Sequence, residues 1–147
     1  MFETVVIATD GSESVERAVT VAVDLAERFG ATVHALSVVD IDDVEGAPAS
    51  VREDFRSALT ESAEEATEEV KTEVEGHVET AVREGRPAAE ITSYAEETDA
   101  DVVAMGTRGR HGENRFLVGS VAERVVRTCP VPVLTVRQLD YTGRQTD

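Results

Sequence analysis

The residues best suited to chemistry lie in one segment near the C-terminal end, where three glycines precede a serine. Gly106 and Gly109 are separated by two residues, and nine residues separate Gly109 from the pair Gly119–Ser120. Glycine lets a backbone approach a ligand closely, and a helix N-terminus offers unpaired N–H groups with a partial positive charge. The segment therefore predicts an anion site, whose usual occupant is phosphate.

The flanking sequence indicates which elements hold this segment. The apolar run 101–105 predicts a strand before it, and the amphipathic run 121–126 predicts a helix that begins at its end. A long strand–helix connection without a ligand is the alternative interpretation, but it leaves the glycine and serine at the helix start unexplained. The loop is locally positive, with three arginines against a single acid: Arg108, Arg110, Arg115 and Glu113.

The remaining sequence alternates between β-rich and helical patterns. An acidic loop is predicted at 40–50, and Pro87 opens the third helix. The alternation predicts an α/β fold, a single doubly wound, five-stranded parallel sheet of order 3-2-1-4-5 with helices on both faces. Ligands of such sheets bind where the strand order reverses, which brings Asp10 and the glycine loop to one cleft. The predicted strands are 4–8, 32–39, 77–83 (an edge strand), 101–105 and 131–137, and the predicted apolar stripe of the long second helix is Phe55, Leu59, Ala63, Ala66, Val70 and Val74.

Length and composition favour one domain, residues 1–138, followed by a polar tail, residues 139–147. No signal-peptide pattern is present, and no apolar stretch approaches the roughly 18 residues needed to cross a bilayer, so we expect a cytoplasmic protein with no membrane partner. Cys129 is the single cysteine and cannot form an internal disulfide. The histidines His34, His77 and His111 share no ligand spacing, so a zinc site is not expected.

The charge balance is strongly acidic. Thirty acidic residues face fourteen basic ones, for a net charge of −16, and Lys71 is the only lysine. Such a surface repels nucleic acid and anionic membranes, so neither is an expected partner. An acidic partner-binding face is one interpretation. Adaptation to the salty cytoplasm of a halophile is favoured, because the acids are spread along the whole chain.

Three segments together resemble the universal stress protein family. They are Val5 to Ser12 (VVIATDGS), Ala35 to Asp40 (ALSVVD), and the spacing of Gly106, Gly109 and Gly119–Ser120. The likeness covers residues 4–137, and the glycine spacing resembles that of the branch that binds ATP. Neither a P-loop nor a dinucleotide fingerprint is present to suggest another phosphate site.

The resemblance implies roles for the residues that match it. The phosphates of ATP would be held by backbone N–H groups and the Ser120 hydroxyl, and Asp10 would meet the ribose or a bound Mg²⁺. The positive charge of the loop, apart from the resemblance, suggests a charged contact from Arg108. Val39 would present its backbone to the adenine edge. Asp10 is also interpretable as a helix cap, although Ser12 is the better candidate for that cap. The full set of expected contacts is Ala8, Thr9, Asp10, Val39, Met105, Gly106, Arg108, Gly109, Gly119, Ser120 and Val121.

The resemblance also implies a homodimer and a function. The last strand, Val131–Arg137, would pair with its twin, and physically it is an apolar edge strand that should seek a partner. Pro132 has no N–H to donate to a neighbouring strand, so pairing between the two copies must begin past it or use the other side of this strand. We expect an ATP-binding stress-response or signalling module that uses Mg²⁺. The alternatives are a slow ATPase or nucleotidyl-transfer enzyme, and a dimeric interaction protein without nucleotide.

Overall fold

The computed structural model describes residues 2–108 and 119–139. Five parallel strands form one sheet of order β3-β2-β1-β4-β5, which confirms the predicted fold class and strand order. The expected tail lies outside the described residues beyond Leu139. The strands are β1 Thr4–Ala8, β2 Thr32–Asp40, β3 Val78–Gly85, β4 Val102–Gly106 and β5 Val133–Val136, and the helices are α1 Glu16–Phe29, α2 Ile41–Glu45, α3 Arg52–Glu73, α4 Pro87–Glu97 and α5 Ser120–Thr128.

The sheet is covered on both faces, as its apolar strands require. On one face Ile7 and Ala35 pack with residues of α1 and α3, and on the other Val6 and Leu36 pack with residues of α4 and α5. The central strands are apolar on both sides because both sides are buried. We call these the α1–α3 face and the α4–α5 face.

The stretch predicted as an acidic loop at 40–50 contains the short helix α2, so that prediction was wrong. The Asp40 carboxylate caps this helix by accepting the N–H of Asp42 at 2.9 Å. Val44 is fully buried against Val39 and Ala63, which anchors the turn to the core. A capping aspartate with one apolar anchor was enough to form a helix within a run of acids.

The predicted apolar stripe of α3 is correct only in its later turns. Ala63, Ala66 and Val70 are buried, whereas Phe55 is 39% exposed. The first turns of α3 lie beside the cavity at the strand ends, where Leu59 forms part of the wall and Phe55 does not. The spacing of apolar residues in the sequence identified which face of α3 is buried, but not which of its turns are buried.

The two edges of the sheet differ in character. The β3 edge carries ion pairs, with Arg56 to Glu84 at 2.9 Å and Arg83 to Glu97 at 2.7 Å. Charged side chains of this kind discourage pairing with another strand. The opposite edge, β5, has the apolar sequence VLTV. Pairing with a strand of another molecule is therefore favoured at the β5 edge and disfavoured at the β3 edge.

His34 has a structural role in the core. Its Nδ1 lies 2.8 Å from the Tyr94 hydroxyl, and burial lowers the pKa of this histidine. In the two described ranges no cluster of three or more His, Cys, Asp or Glu side chains is placed to hold a metal ion. Nor is any helix of those ranges long and apolar enough to cross a bilayer.

Candidate functional site

A cavity of about 300 Å³ opens at the carboxyl ends of β1, β2 and β4, where the strand order reverses. Its walls come from α3, α4 and the first turn of α5. Gly109, like Arg110, His111, Glu113 and Arg115, lies outside the described residues. The other ten residues singled out in the sequence all line this cavity: Ala8, Thr9, Asp10, Val39, Met105, Gly106, Arg108, Gly119, Ser120 and Val121.

The N-terminus of α5 forms one end of the cavity. Gly119 occupies the N-cap position, and its C=O accepts the N–H of Glu123 at 3.0 Å. The first N–H groups of a helix have no acceptor within it, so the amides of Ser120, Val121 and Ala122 are the ones suited to an anion. The N–H of Gly119 is already engaged, since it donates to the C=O of Thr107 at 2.6 Å.

Gly106 and Gly119 are glycines because protein atoms crowd them. A Cβ on Gly106 would lie 3.1 Å from the Ser14 carbonyl oxygen and 3.1 Å from Val15 Cγ1. A Cβ on Gly119 would lie 3.1 Å from the Thr107 carbonyl oxygen. Neither residue has a positive φ. Close packing of the two ends of the loop therefore requires these glycines, a reason that the spacing alone did not suggest.

The turn after β1 uses side chains to satisfy its own backbone. Asp10 Oδ1 accepts the N–H of Ser12 at 2.9 Å, and Thr9 Oγ1 accepts the N–H of Gly11 at 3.0 Å. Ser12 stands at the N-cap of the 3₁₀ turn Glu13–Val15, but its hydroxyl makes no capping hydrogen bond. The expectation that Ser12 is the cap is therefore correct for its position but not for a side-chain hydrogen bond. Asp10 stabilises the turn and still lines the cavity, so both of its interpretations are compatible with this geometry.

The open peptide group on β2 belongs to Val38 rather than to Val39. The C=O of Leu36 accepts the N–H of Thr9 at 2.9 Å, so the peptide groups of Leu36 face β1. The direction of the N–H and C=O groups alternates from one residue of a strand to the next. The N–H and C=O of Val38 therefore point toward β1, which has already ended at this level. The N–H and C=O of Val39 point toward β3. Sequence reasoning missed Val38, because only the register with β1 reveals this direction.

The two ends of the cavity differ in charge. Arg108 and the α5 N-terminus make one end positive, whereas Asp40 and Asp43 line the opposite side. The wall between them is apolar and includes Leu36, Val38, Pro87, Ile91 and Met105. Such a cavity suits a ligand with a flat apolar part and an anionic group at one end.

Comparison with known proteins identifies the family. The model of the universal stress protein family matches residues 1–137. Universal stress protein MJ0531 of Methanocaldococcus jannaschii is 39% identical over 142 residues, which are 94% of this chain and 84% of that protein.

Solved structures agree with this match. The structure of hypothetical protein MJ0577 has a TM-score of 0.83 at 27% identity, covering 95% of this chain and 99% of that one. A universal stress protein in complex with cAMP has a TM-score of 0.65 at 25% identity, covering 94% of this chain and 98% of that one. By its sequence and by its fold, this chain belongs to the universal stress protein family.

Proposed function

We propose that this protein binds ATP with Mg²⁺ and acts as a nucleotide-dependent module in a stress response. The observation that carries the proposal is the cavity itself, which joins helix amides without an acceptor inside α5, and Arg108, to an apolar slot with an open peptide group. A relative that was solved in complex with cAMP supports an adenine nucleotide as the ligand class.

The charge distribution orients the nucleotide. The triphosphate would lie on the amides of Ser120 to Ala122 beside Arg108, since anions bind at helix N-termini. Asp40 and Asp43 would repel phosphate from the opposite side of the cavity. The base would then occupy the apolar slot between β2 and α4.

The peptide group of Val38 complements the edge of adenine. Its N–H can donate to a ring nitrogen, and its C=O can accept from the exocyclic amino group. The apolar side chains of Ile91 and Met105 line the cavity beside it and would contact the faces of the base. We therefore assign to Val38 the adenine contact that the sequence suggested for Val39.

Asp10 fits a magnesium ion that arrives with the phosphates. Mg²⁺ is commonly bound through one or two carboxylates plus phosphate oxygens, with waters completing its shell. Asp10 lines the cavity between the end of β1 and the phosphate end. Because no preformed cluster of metal ligands exists in the described ranges, the ion would be held jointly by this carboxylate and the nucleotide.

Calorimetric titration with ATP tests this function. Replacing Arg108 with glutamine should weaken ATP binding about 10-fold or more, since a hydrogen bond to a charged group contributes roughly 1.5–3 kcal/mol. Adenosine, which has no phosphate, should bind both forms equally. Replacing Asp10 with asparagine keeps the Oδ1 acceptor for Ser12 but removes the charge, so it should abolish the dependence of affinity on Mg²⁺.

The matched control is Arg124→Gln, which removes the same charge from an exposed site on α5 outside the cavity. An equal loss of affinity in Arg124→Gln would mean that Arg108 acts only through the overall charge. If the unmodified protein binds no nucleotide at any salt concentration while remaining a stable dimer, it is an interaction protein instead.

We also propose that the protein is a homodimer paired through β5. The N–H groups of Val103 and Thr107 donate to the C=O groups of Pro132 and Val136, so those carbonyls face β4. The alternate residues, Val133 and Thr135, therefore turn their peptide groups to the open edge. Pro132 lacks its donor on the β4 side, so it does not obstruct pairing with a second copy.

Replacing Thr135 with proline should convert the dimer to a monomer, since it removes an N–H from the open edge without touching the bonds to β4. Thr135→Val retains that N–H and should remain dimeric. Light scattering on a sizing column distinguishes the two. If both variants and the unmodified protein have the mass of a monomer, β5 is not a dimer interface.

A further inference from the structure

Two hydroxyl residues lie side by side on the floor of the cavity. Thr9 follows β1, and its N–H donates to the C=O of Leu36 at 2.9 Å, which extends the register Ala8–Leu36 by one residue. Thr9 and Ser37 are therefore neighbours across β1 and β2. Because side chains alternate along a strand, both lie on the same face as Ile7, beneath α3.

Ser37 stands out among the buried polar residues. In the part of the chain that the structure describes these are Thr9, Ser37 and Thr67, which are 7%, 3% and 2% exposed. The Thr67 hydroxyl donates to the Glu64 carbonyl oxygen at 2.9 Å, and Thr9 Oγ1 accepts from Gly11. The Ser37 hydroxyl forms no hydrogen bond with any described residue. An unpaired buried hydroxyl is unfavourable unless a ligand or water satisfies it.

The free hydroxyl of Ser37 borders the cavity. Two other described hydroxyls, Ser12 Oγ and Thr92 Oγ1, have no hydrogen-bond partner and no contact with solvent. The Ser37 hydroxyl differs from them because it keeps a small accessible area. Ser37 lines the cavity, so its small exposed area faces that space. Leu59 and Ala63 of α3 line the cavity on the same face. Together these residues form a lobe of the cavity under α3.

The chemistry of this lobe suits a neutral group with hydroxyls. The Asp43 carboxylate lines the cavity on the same side and only accepts hydrogen bonds, whereas Ser37 both donates and accepts. With the phosphates at α5 and the base at Val38, the sugar passes over the turn at Thr9. We propose that Ser37 binds a sugar hydroxyl of the nucleotide, in a lobe completed by Thr9 and Asp43. This inference rests on the proposed function.

Titrations with ATP, 2′-deoxy-ATP and 3′-deoxy-ATP test the assignment. Ser37→Ala should weaken ATP binding about 3- to 10-fold, the loss expected for one neutral hydrogen bond. The unmodified protein should prefer ATP to at least one deoxy analogue, and Ser37→Ala should lose that preference, because the protein and ligand changes remove the same contact. Thr67→Val is the control, since it removes a buried hydroxyl that lies outside this cavity.

The outcomes separate this inference from the function on which it rests. ATP binding that is unchanged by Ser37→Ala, in a variant with an unchanged melting curve, overturns the sugar contact but leaves nucleotide binding intact. A variant that alters the preference between ATP and ITP, while keeping the preference for the ribose hydroxyls, would place Ser37 at the base and overturn the assignment. If the unmodified protein binds no nucleotide at all, both proposals fail.

Discussion

Replacing Gly106 with valine is expected to destabilise the protein by roughly 1–3 kcal/mol, the usual penalty for overpacking a filled site. Even the first added carbon would lie 3.1 Å from the Ser14 carbonyl oxygen and 3.2 Å from that of Arg108, and backbone atoms yield little. For a chain of this size the melting temperature should fall by about 3–10 °C. Thermal unfolding followed by circular dichroism measures the change.

The same substitution should also weaken ATP binding. Thr107, the next residue, donates its N–H to the Val136 carbonyl oxygen at 3.3 Å and accepts the N–H of Gly119 at 2.6 Å. A displacement of Gly106 therefore moves the start of α5 and the amides proposed to hold phosphate. We expect at least a 10-fold loss of affinity, about 1.4 kcal/mol.

Gly85→Val is the matched control for Gly106→Val. Gly85 also ends a strand at the same edge of the sheet. The atoms nearest to a Cβ there, at 2.8–3.0 Å, all belong to the flexible Glu90 side chain, which can turn away, whereas two of the three nearest to a Cβ on Gly106 are backbone oxygens. This variant should melt close to the unmodified protein and bind ATP normally. If the two valine variants behave alike, crowding at Gly106 is not what requires a glycine there.

Thermal stability should rise by several degrees between about 0.1 M and about 2 M KCl, as the Debye length falls from roughly 10 Å to about 2–3 Å. The net charge of −16 is the cause. Repulsion is concentrated on α3, where exposed acids recur at four-residue spacing, and each such pair is unfavourable by about 0.2–0.5 kcal/mol. The pKa of Glu73 is raised by partial burial and then by the nearby carboxylates of Glu16 and Glu69. The pairs are Glu61–Glu65, Glu64–Glu68, Glu65–Glu69 and Glu69–Glu73.

Glu65→Lys separates charge screening from other effects of salt. It turns two repulsive pairs, with Glu61 and Glu69, into attractive ones, so it should stabilise the protein at low salt and lose that advantage at high salt. At low salt, the melting temperature of Glu65→Gln should lie between those of the unmodified protein and of Glu65→Lys. A melting temperature that does not depend on KCl, or an advantage of Glu65→Lys that persists undiminished in 2 M salt, would contradict adaptation to high salt.

Much of the fold could be predicted because its signals are local. Short β-rich apolar runs identified the strands and period-3.6 apolar patterns identified the main helices. Gly30 ends α1 in the left-handed conformation expected of a C-cap, with φ 63°. The alternation of strands and helices then leaves few parallel topologies. The errors arose where tertiary contacts decide. Val44 of the short helix α2 packs on Ala63, a contact distant in sequence, and Phe55 is 39% exposed although it continues the apolar period of α3.

The sequence by itself determined which segments meet at the cleft, because the carboxyl ends of parallel strands share one edge of the sheet. It determined the family as well, since the family model matches residues 1–137. Only the tertiary structure decided which atoms face the cavity. Val38 is open rather than Val39 because β1 ends at Ala8, opposite Leu36, two residues before the position opposite Val38. Among the described residues, nothing packed on that face gives the Ser37 hydroxyl a hydrogen-bond partner. The directions of these peptide groups and side chains depend on strand register and on neighbours distant in sequence, and local sequence patterns carry no information about either.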